Sequence, residues 1–294
     1  MSRSDDYWDS GFFMVNINGN IIKKEQASLS INNRGFTYGD AVFETIKVLQ
    51  NNVLFLEDHY FRLMASLRIM RMEIPMNFSL EFFENEILSL IKIRNLEQYS
   101  VRVKFIVNRS EGGLFTPENN DIDYIIFADR LDVDFYEYND NNYRVDLFKD
   151  FYISPSLIST LKTNNRIINV VGGIYATENN LNNCLILNTN KNIVEALNAN
   201  LFLVKDNCVK TPPLQDGCIK GIMRKQVIEI IKLLPEYTIE ESSISSFELQ
   251  KADELFLTNV ITGIQPITNY RKKRFSKEIS KKVLAKLNLK IKSS

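Results

Sequence analysis

What this chain lacks narrows its chemistry first. Its 294 residues include a single histidine, His59, which rules out a histidine-rich metal centre. Any serine or cysteine nucleophile relying on an imidazole would have to use that one residue. The three cysteines, Cys184, Cys208 and Cys218, are odd in number and form no CxxC pair. Neither a disulfide framework nor a zinc knuckle is indicated, and reduced thiols in a cytoplasmic protein fit best. The chain has no excess of either charge: Lys+Arg 36 and Asp+Glu 36 cancel. Nothing in that balance attracts nucleic acid or an anionic membrane. No apolar run approaches the roughly 20 residues that cross a bilayer. Neither a GxGxxG nor a P-loop pattern occurs, and the Asn/Asp-rich run at 132–143 lacks the glycine and terminal glutamate of a calcium loop. No metal site is expected. The opening "MSRSDDYWDSG" is too polar and acidic for a secretory leader.

What is present is ordinary for a soluble globular enzyme: 45% hydrophobic and 24% charged residues. The length allows a sizeable core and two domains. "FFMVNINGNII" carries an Asn-Gly turn between apolar runs, a hairpin signal, and "VFETIKVLQNNVLFL" repeats it with Asn51-Asn52 at the turn. Helical spacing follows at Leu63, Leu67 and Met70, then at Phe83, Ile87 and Leu90. In the second half Ile167, Val171 and Ile174 recur at helical spacing, as do Met223, Val227 and Ile230. Gly172-Gly173 weakens the first of these helices and points to close packing there. Strands and helices are interspersed without a βαβ rhythm, so the fold class expected is α+β. The expected organisation is an N-terminal extension over 1–13, a small α/β domain over 14–131, a linker at 132–143 and a larger domain over 144–294.

Three features could carry chemistry. Lys162, in "LKTNNRIIN", follows an apolar run and precedes a helix. Partial burial there would lower its pKa and prepare the amine for covalent attachment to a carbonyl; the alternative is a surface lysine. Glu195, in "NIVEALNANLF", is a lone carboxylate in a strand-like apolar run, costly if buried without a cation. The alternative is a glutamate on an exposed strand face. "GCIKGIMRKQ" opens a helix after two glycines, and its first N–H groups form an anion site. Arg62 offers a charge-assisted contact to a phosphate, or is a helix-surface arginine.

No spacing rule joins these residues, but a resemblance does. The segments "NNRGFTYGDAVFETIKV", "LEDHYFRLMASL", "LKTNNRIINV", "VEALNANLFLVKDNCVKTPP", "GCIKGIMRKQ" and "DELFLTNVITGIQPI" come in one order between about Met14 and Thr268. Together they resemble the class-IV aminotransferases, pyridoxal-phosphate enzymes of fold type IV. That group includes branched-chain and D-amino acid aminotransferases and 4-amino-4-deoxychorismate lyases. The resemblance implies a small α/β domain before a larger pseudobarrel domain, pyridoxal 5'-phosphate as cofactor, and a homodimer. Lys162 matches the lysine that holds the cofactor and shuttles the substrate proton. Glu195 matches the carboxylate that bonds the pyridine nitrogen and keeps the ring able to accept electrons. Arg62 matches the phosphate-binding arginine, and Ile222 and Met223 match the backbone donors at the helix start. Asn259 and Val260 match a further phosphate contact, although aminotransferases often have threonine where Val260 stands.

Within that group the details point to a lyase. Asn165 and Arg166 after Lys162 are similar to the lyases, as is "GIMR" where transaminases carry "GITR". The loop "NRSEGGLFTPENN" keeps Arg109 as a candidate for the substrate carboxylate but lacks the histidine of the D-amino acid enzymes. Thr45 could assist proton transfer or be a strand threonine, and Tyr38 and Phe43 could line the substrate pocket or pack in the core. The implied reaction is elimination giving p-aminobenzoate and pyruvate. The alternatives are an aminotransferase of branched-chain or D-amino acids, and an inactive binding protein. His59 is expected to be a helix-start or packing residue.

Overall fold

The computed structural model describes residues 13–293; residues 1–12 of the expected extension, and Ser294, lie outside the described residues. The chain divides into two units between Asp134 and Phe135.

The first unit opens with β1 (Met14–Ile17) and β2 (Asn20–Lys23), joined by Asn18-Gly19. Both turn residues have positive φ, 51° and 84°, a turn whose twist suits strand pairing. A short α1 (Arg34–Thr37) is capped by the Asn33 side chain, which accepts from the Phe36 N–H. β3 (Ala41–Leu49) turns into β4 (Asn52–Val53). Gln50 and Asn51 carry the positive φ there, so the turn falls one residue before the Asn51-Asn52 that the sequence suggested. α2 (Leu56–Ile69), α3 (Leu80–Ile93), β5 (Ser100–Arg109) and β6 (Ile122–Leu131) complete the unit. The strand order is β2-β1-β6-β5-β3-β4, every neighbour antiparallel. One sheet face carries Val42, Ile46, Val103, Phe105 and Ile126, packed against Leu63, Leu67, Phe83, Ile87 and Leu90 of the helices. Each such side chain contributes about 1.5–3 kcal/mol by leaving water.

Glu44 lies in that apolar layer, 2% exposed. Arg62 of α2 meets it with Nε donating to Oε1 at 2.7 Å and with Nη2 on Oε2. His59 Nδ1 lies 2.7 Å from Oε2. Burial alone would push the Glu44 carboxyl up, but the Arg62 charge and the His59 and Arg62 hydrogen bonds outweigh it and hold the pKa at about 2. Burial pushes the His59 pKa down against the pull of Glu44. His59 is therefore neutral and donates from Nδ1, and its buried Nε2 has no partner. It is a packing residue near the helix start, as the sequence suggested, and also the second donor that fixes Glu44.

The second unit contains β7 (Arg144–Ile153), α4 (Ile167–Glu178), β8 (Asn183–Asn188), β9 (Asn192–Ala196), β10 (Asn200–Lys205), β11 (Cys208–Thr211) and α5 (Ile222–Lys232). It continues with β12 (Thr238–Glu241), β13 (Ile244–Ser245), α6 (Ser246–Lys251), β14 (Glu254–Asn259), β15 (Gly263–Ile267), β16 (Asn269–Tyr270), β17 (Lys273–Arg274) and α7 (Glu278–Lys292). Two sheets, β12-β11-β10-β14-β15 and β13-β9-β8-β7-β16-β17, curl round one core. Leu147, Leu185 and Ile193 of one sheet meet Leu201, Leu203, Leu255 and Leu257 of the other there. Residues alternating with these face the helices: Phe202 and Phe256 stack with centroids 5.0 Å apart. Glu254, on the same side, accepts from the Ile279 and Ser280 N–H groups at the start of α7. The architecture is α+β.

One local expectation changes. In α4 the spacing suggested an apolar face at Ile167, Val171 and Ile174, yet Ile167 and Ile174 are exposed. The buried side is Gly172 and Ala176. A Cβ on Gly172 would lie 2.5 Å from Leu197 Cδ2, so the small residue sets how closely the helix approaches β9 and its turn. Within the segment 132–143, expected as a linker, one aromatic is anchored. Tyr136 is buried, donates its hydroxyl to the Val260 carbonyl at 2.7 Å, and is bracketed by Asn288. Gly263 has φ +70°, and a Cβ there would lie 2.6 Å from the Tyr136 ring. Among the described residues no helix is long and apolar enough to cross a membrane.

The Glu44 cluster gives a pH signature. Its folded pKa lies below the ordinary 4.5, so its contribution is present above 4.5 and lost as pH falls towards about 2. His59, depressed from 6.5, adds a loss that begins below 6.5. Urea midpoints should fall across this range. Glu44→Gln should be less stable at pH 7 by about 3 kcal/mol, because it leaves Arg62 without its anion, and should lose less on acidification. An equally steep acid loss in the variant would remove Glu44 as its source.

Candidate active site

Lys162 stands in the segment between β7 and α4, just after a single turn of 3-10 helix at Ile158–Thr160. It is half-buried, and its neighbour Thr163 is buried. Arg166 fixes this segment: Nη2 donates to the Leu161 carbonyl at 2.6 Å and Nε to the Thr163 carbonyl at 3.1 Å. One guanidinium thus ties the backbone on both sides of Lys162.

Glu195 is on β9, 3% exposed, so the exposed strand-face alternative does not hold. Its Oε2 accepts from the Ile219 N–H at 2.8 Å. Burial pushes its pKa up, while the Arg166 charge, the Ile219 N–H and the Lys162 charge pull it down less strongly. Lys162, Arg166 and Glu195 therefore share one electrostatic environment.

Two residues beyond Ile219, Gly221 is the N-cap of α5 and provides no side-chain cap. A Cβ on Gly221 would lie 1.9 Å from Asn200 Oδ1, so the helix start is pressed against β10. Ile222 and Met223 are buried in the first turn. Such an uncapped start presents N–H groups and the positive end of the helix dipole. Asn259 ends β14, and its Oδ1 accepts from the Ile261 and Thr262 N–H groups, both at 2.9 Å. Its side-chain carbonyl shapes the turn, and Val260 contributes no hydroxyl.

The candidates in the first unit divide sharply. Thr45 and Phe43 lie on the face of β3 opposite Glu44. Thr45 is directly across from Lys104 on β5, and Lys104 Nζ sits 5.1 Å from the Phe43 ring centroid. Burial and then the Arg102 charge push the Lys104 pKa down. Tyr38 follows α1, partly exposed, with Arg34 Cζ 4.8 Å from its ring and the Phe115 ring at 5.7 Å. Arg62 is engaged with Glu44 as described, so it is not a plain surface arginine.

Arg109, expected to grip a substrate carboxylate, is engaged by protein acceptors. It is 6% exposed. Nε donates to Asp40 at 2.9 Å, Nη1 to the Arg71 carbonyl at 3.1 Å and to Asn120 at 2.5 Å, and Nη2 to the Met70 carbonyl at 2.7 Å. Four of its five N–H groups serve protein acceptors, so it is a bracket between β5 and the end of α2.

Sequence reasoning missed Glu44, Lys104 and Thr258. Glu44 showed the signal that singled out Glu195, a lone carboxylate in an apolar run, here "AVFETIKV". Lys104 interrupts "VRVKFIV" in the same manner. Thr258 gave no sequence signal; its Oγ1 stands out only because it is buried without a partner.

Over 253 residues the chain is 26% identical to a putative branched-chain-amino-acid aminotransferase of Methanocaldococcus jannaschii, covering 86% of each. Over 245 residues it is 23% identical to the aminodeoxychorismate lyase of Vibrio harveyi, covering 83% of this chain and 88% of the relative. The fold matches the crystal structure of a branched-chain aminotransferase from Thermoproteus uzoniensis with TM-score 0.82 at 22% identity, covering 94% of this chain and 96% of that one. The family model for amino-transferase class IV matches residues 41–270, and the chain belongs to that family.

Proposed function

We propose that the protein is a pyridoxal-phosphate enzyme that acts as a 4-amino-4-deoxychorismate lyase, releasing p-aminobenzoate and pyruvate. The observation that carries the reading is the stapling of the Lys162 segment by Arg166 beside buried Glu195. The residues fit the cofactor. Glu195 is a carboxylate whose pKa burial has raised, so a cationic ring nitrogen would relieve it. The uncapped start of α5 suits a phosphate. When bound, pyridoxal phosphate supplies an electron sink for the charge left when a proton leaves the carbon bearing the substrate amine.

The protein's own groups do the rest. Lys162 Nζ would hold the cofactor and, once the substrate amine has displaced it, would take that proton as a free amine and return it, from a backbone that Arg166 keeps in register. Glu195, fixed by the Ile219 N–H, orients the ring and favours its protonated form. Ile222 and Met223 donate backbone N–H groups to the phosphate, Arg62 adds charge, and the Asn259-Val260 turn closes that end. Thr45 assists proton transfer, while Phe43 and Tyr38 line the substrate pocket. Lys104 takes the place intended for Arg109, as a cation for a substrate carboxylate beside Thr45 and Phe43. The K-x-x-N-R run favours the lyase. A branched-chain or D-amino acid aminotransferase is the second reading, supported by the similarity to the M. jannaschii relative. We also place a second copy of the chain against the exposed apolar residues of α4: Ile167, Val170 and Ile174 are 70%, 56% and 54% exposed.

Purified protein should be yellow, and borohydride should fix the cofactor to Lys162; a colourless protein that pyridoxal phosphate cannot reconstitute would refute the enzyme reading. Aminodeoxychorismate should yield p-aminobenzoate, whereas glutamate from leucine plus 2-oxoglutarate would select the aminotransferase. Lys104→Met should raise KM for aminodeoxychorismate about tenfold, the loss of a charge-assisted contact, with kcat changed far less. An unchanged KM rules Lys104 out. Light scattering should give twice the mass of one chain, and a single-chain mass would refute the homodimer.

A further inference from the structure

Thr258 is one of the buried residues whose polar atom has no partner: it is 2% exposed and its Oγ1 makes no hydrogen bond. An unmade hydrogen bond in the interior is costly, so such a group calls for a reason. Its direction follows from the strand register. Thr258 on β14 is directly opposite Asn200 on β10. Residues opposite one another in an antiparallel pair share a sheet face. Asn200 points at α5: its Nδ2 donates to the Ile219 carbonyl at 2.9 Å, and its Oδ1 would collide with a Cβ on Gly221. The Thr258 hydroxyl therefore lies on the face where the uncapped helix starts, one residue before the Asn259-Val260 turn. At two positions where, by the resemblance, aminotransferases often have threonine, this chain has Met223 and Val260, neither of which carries a hydroxyl.

We infer that Thr258 Oγ1 is a donor to the anionic group seated at the start of α5, supplying the hydroxyl that Met223 and Val260 do not. This deepens the proposed function and rests on its placing of a phosphate there. No covalent step is involved; the hydroxyl donates one hydrogen bond to an anionic oxygen and stays protonated. Asn200 serves as the spacer, holding the Ile219 carbonyl and the Gly221 backbone at the distance that leaves the hydroxyl facing the helix start.

Isosteric substitution tests this with a readout other than activity. Dissociation constants for pyridoxal phosphate and for inorganic phosphate are measured on cofactor-stripped protein, alongside its thermal midpoint. Thr258→Val should weaken both ligands about tenfold, the loss of a hydrogen bond to a charged acceptor. Its ligand-free midpoint should be unchanged or higher, because a methyl replaces an unpaired hydroxyl. Thr258→Ser should restore binding to within about twofold of the parent, since it keeps the donor. Unchanged affinities in Thr258→Val, or equal losses in Thr258→Ser, overturn the inference. A lower midpoint with unchanged affinity also overturns it, assigning the hydroxyl to the fold. Parent protein that binds inorganic phosphate through Thr258 but takes up no pyridoxal phosphate upholds the inference and removes the cofactor reading. Parent protein that binds neither removes both.

Discussion

The buried carboxylate of Glu195 is the constraint on which the second unit turns. A carboxylate taken out of water must be offset by donors or cations. Here the compensation comes from Ile219 on one segment and from Lys162 and Arg166 on another, far apart in the chain. Arg166 does two things with one guanidinium: it binds the carbonyls that flank Lys162 and places positive charge near Glu195. Ile219 precedes the Gly221 cap by two residues, so the N–H that meets Glu195 also locates the start of α5. Carboxylate and helix start are thereby linked by a hydrogen bond, and the segment that carries the amine is tied to the guanidinium whose charge acts on that carboxylate.

Glu44 in the first unit is a useful contrast. Both carboxylates are buried on strands, and both have cations nearby. Arg62 reaches Glu44 directly with two nitrogens, and the carboxyl pKa falls to about 2. At Glu195 the nearby charges act without overcoming burial, and the pKa stays raised. A carboxylate already lowered has its cation; one still raised gains from another. The difference marks Glu44 as a carboxylate already paired and Glu195 as one whose burial is only partly offset. The raised pKa thus supports the proposed pairing with a ring nitrogen more directly than burial does.

Much of this was legible in the sequence where local pattern and tertiary need agree. The Asn18-Gly19 hairpin, the Phe83, Ile87 and Leu90 face of α3 and the strand around Glu195 all follow period or turn chemistry. The α4 face did not, because Gly172 brings the helix against Leu197 on the side that carries little apolar side chain. The partners of Arg109 show no local pattern, because Asp40, Met70 and Arg71 are distant in sequence and only Asn120 lies in the following loop. Burial without a partner, the property that isolates Thr258, has no sequence signature at all. Pattern reveals which residues leave water, whereas the satisfaction of polar groups emerges only from the fold.

In the proposed lyase, the use of Lys104 rather than Arg109 would bear on specificity. An arginine grips one carboxylate through a planar fork, which suits a substrate presenting a single carboxylate in fixed orientation. Arg109 is so completely bonded to protein that this mode is closed. Lys104 is a point charge on a flexible stem, and its partial burial favours an anion as neighbour. Its place opposite Thr45 and over Phe43 joins a cation, a hydroxyl and a ring on one sheet face. That combination suits a cyclic carboxylate, whose ring stacks and whose charge is met without bidentate geometry, better than a branched aliphatic side chain, which needs only apolar walls. The proposed lyase reading therefore draws on the chemistry of the face of β3 and β5 in addition to the residues that follow Lys162.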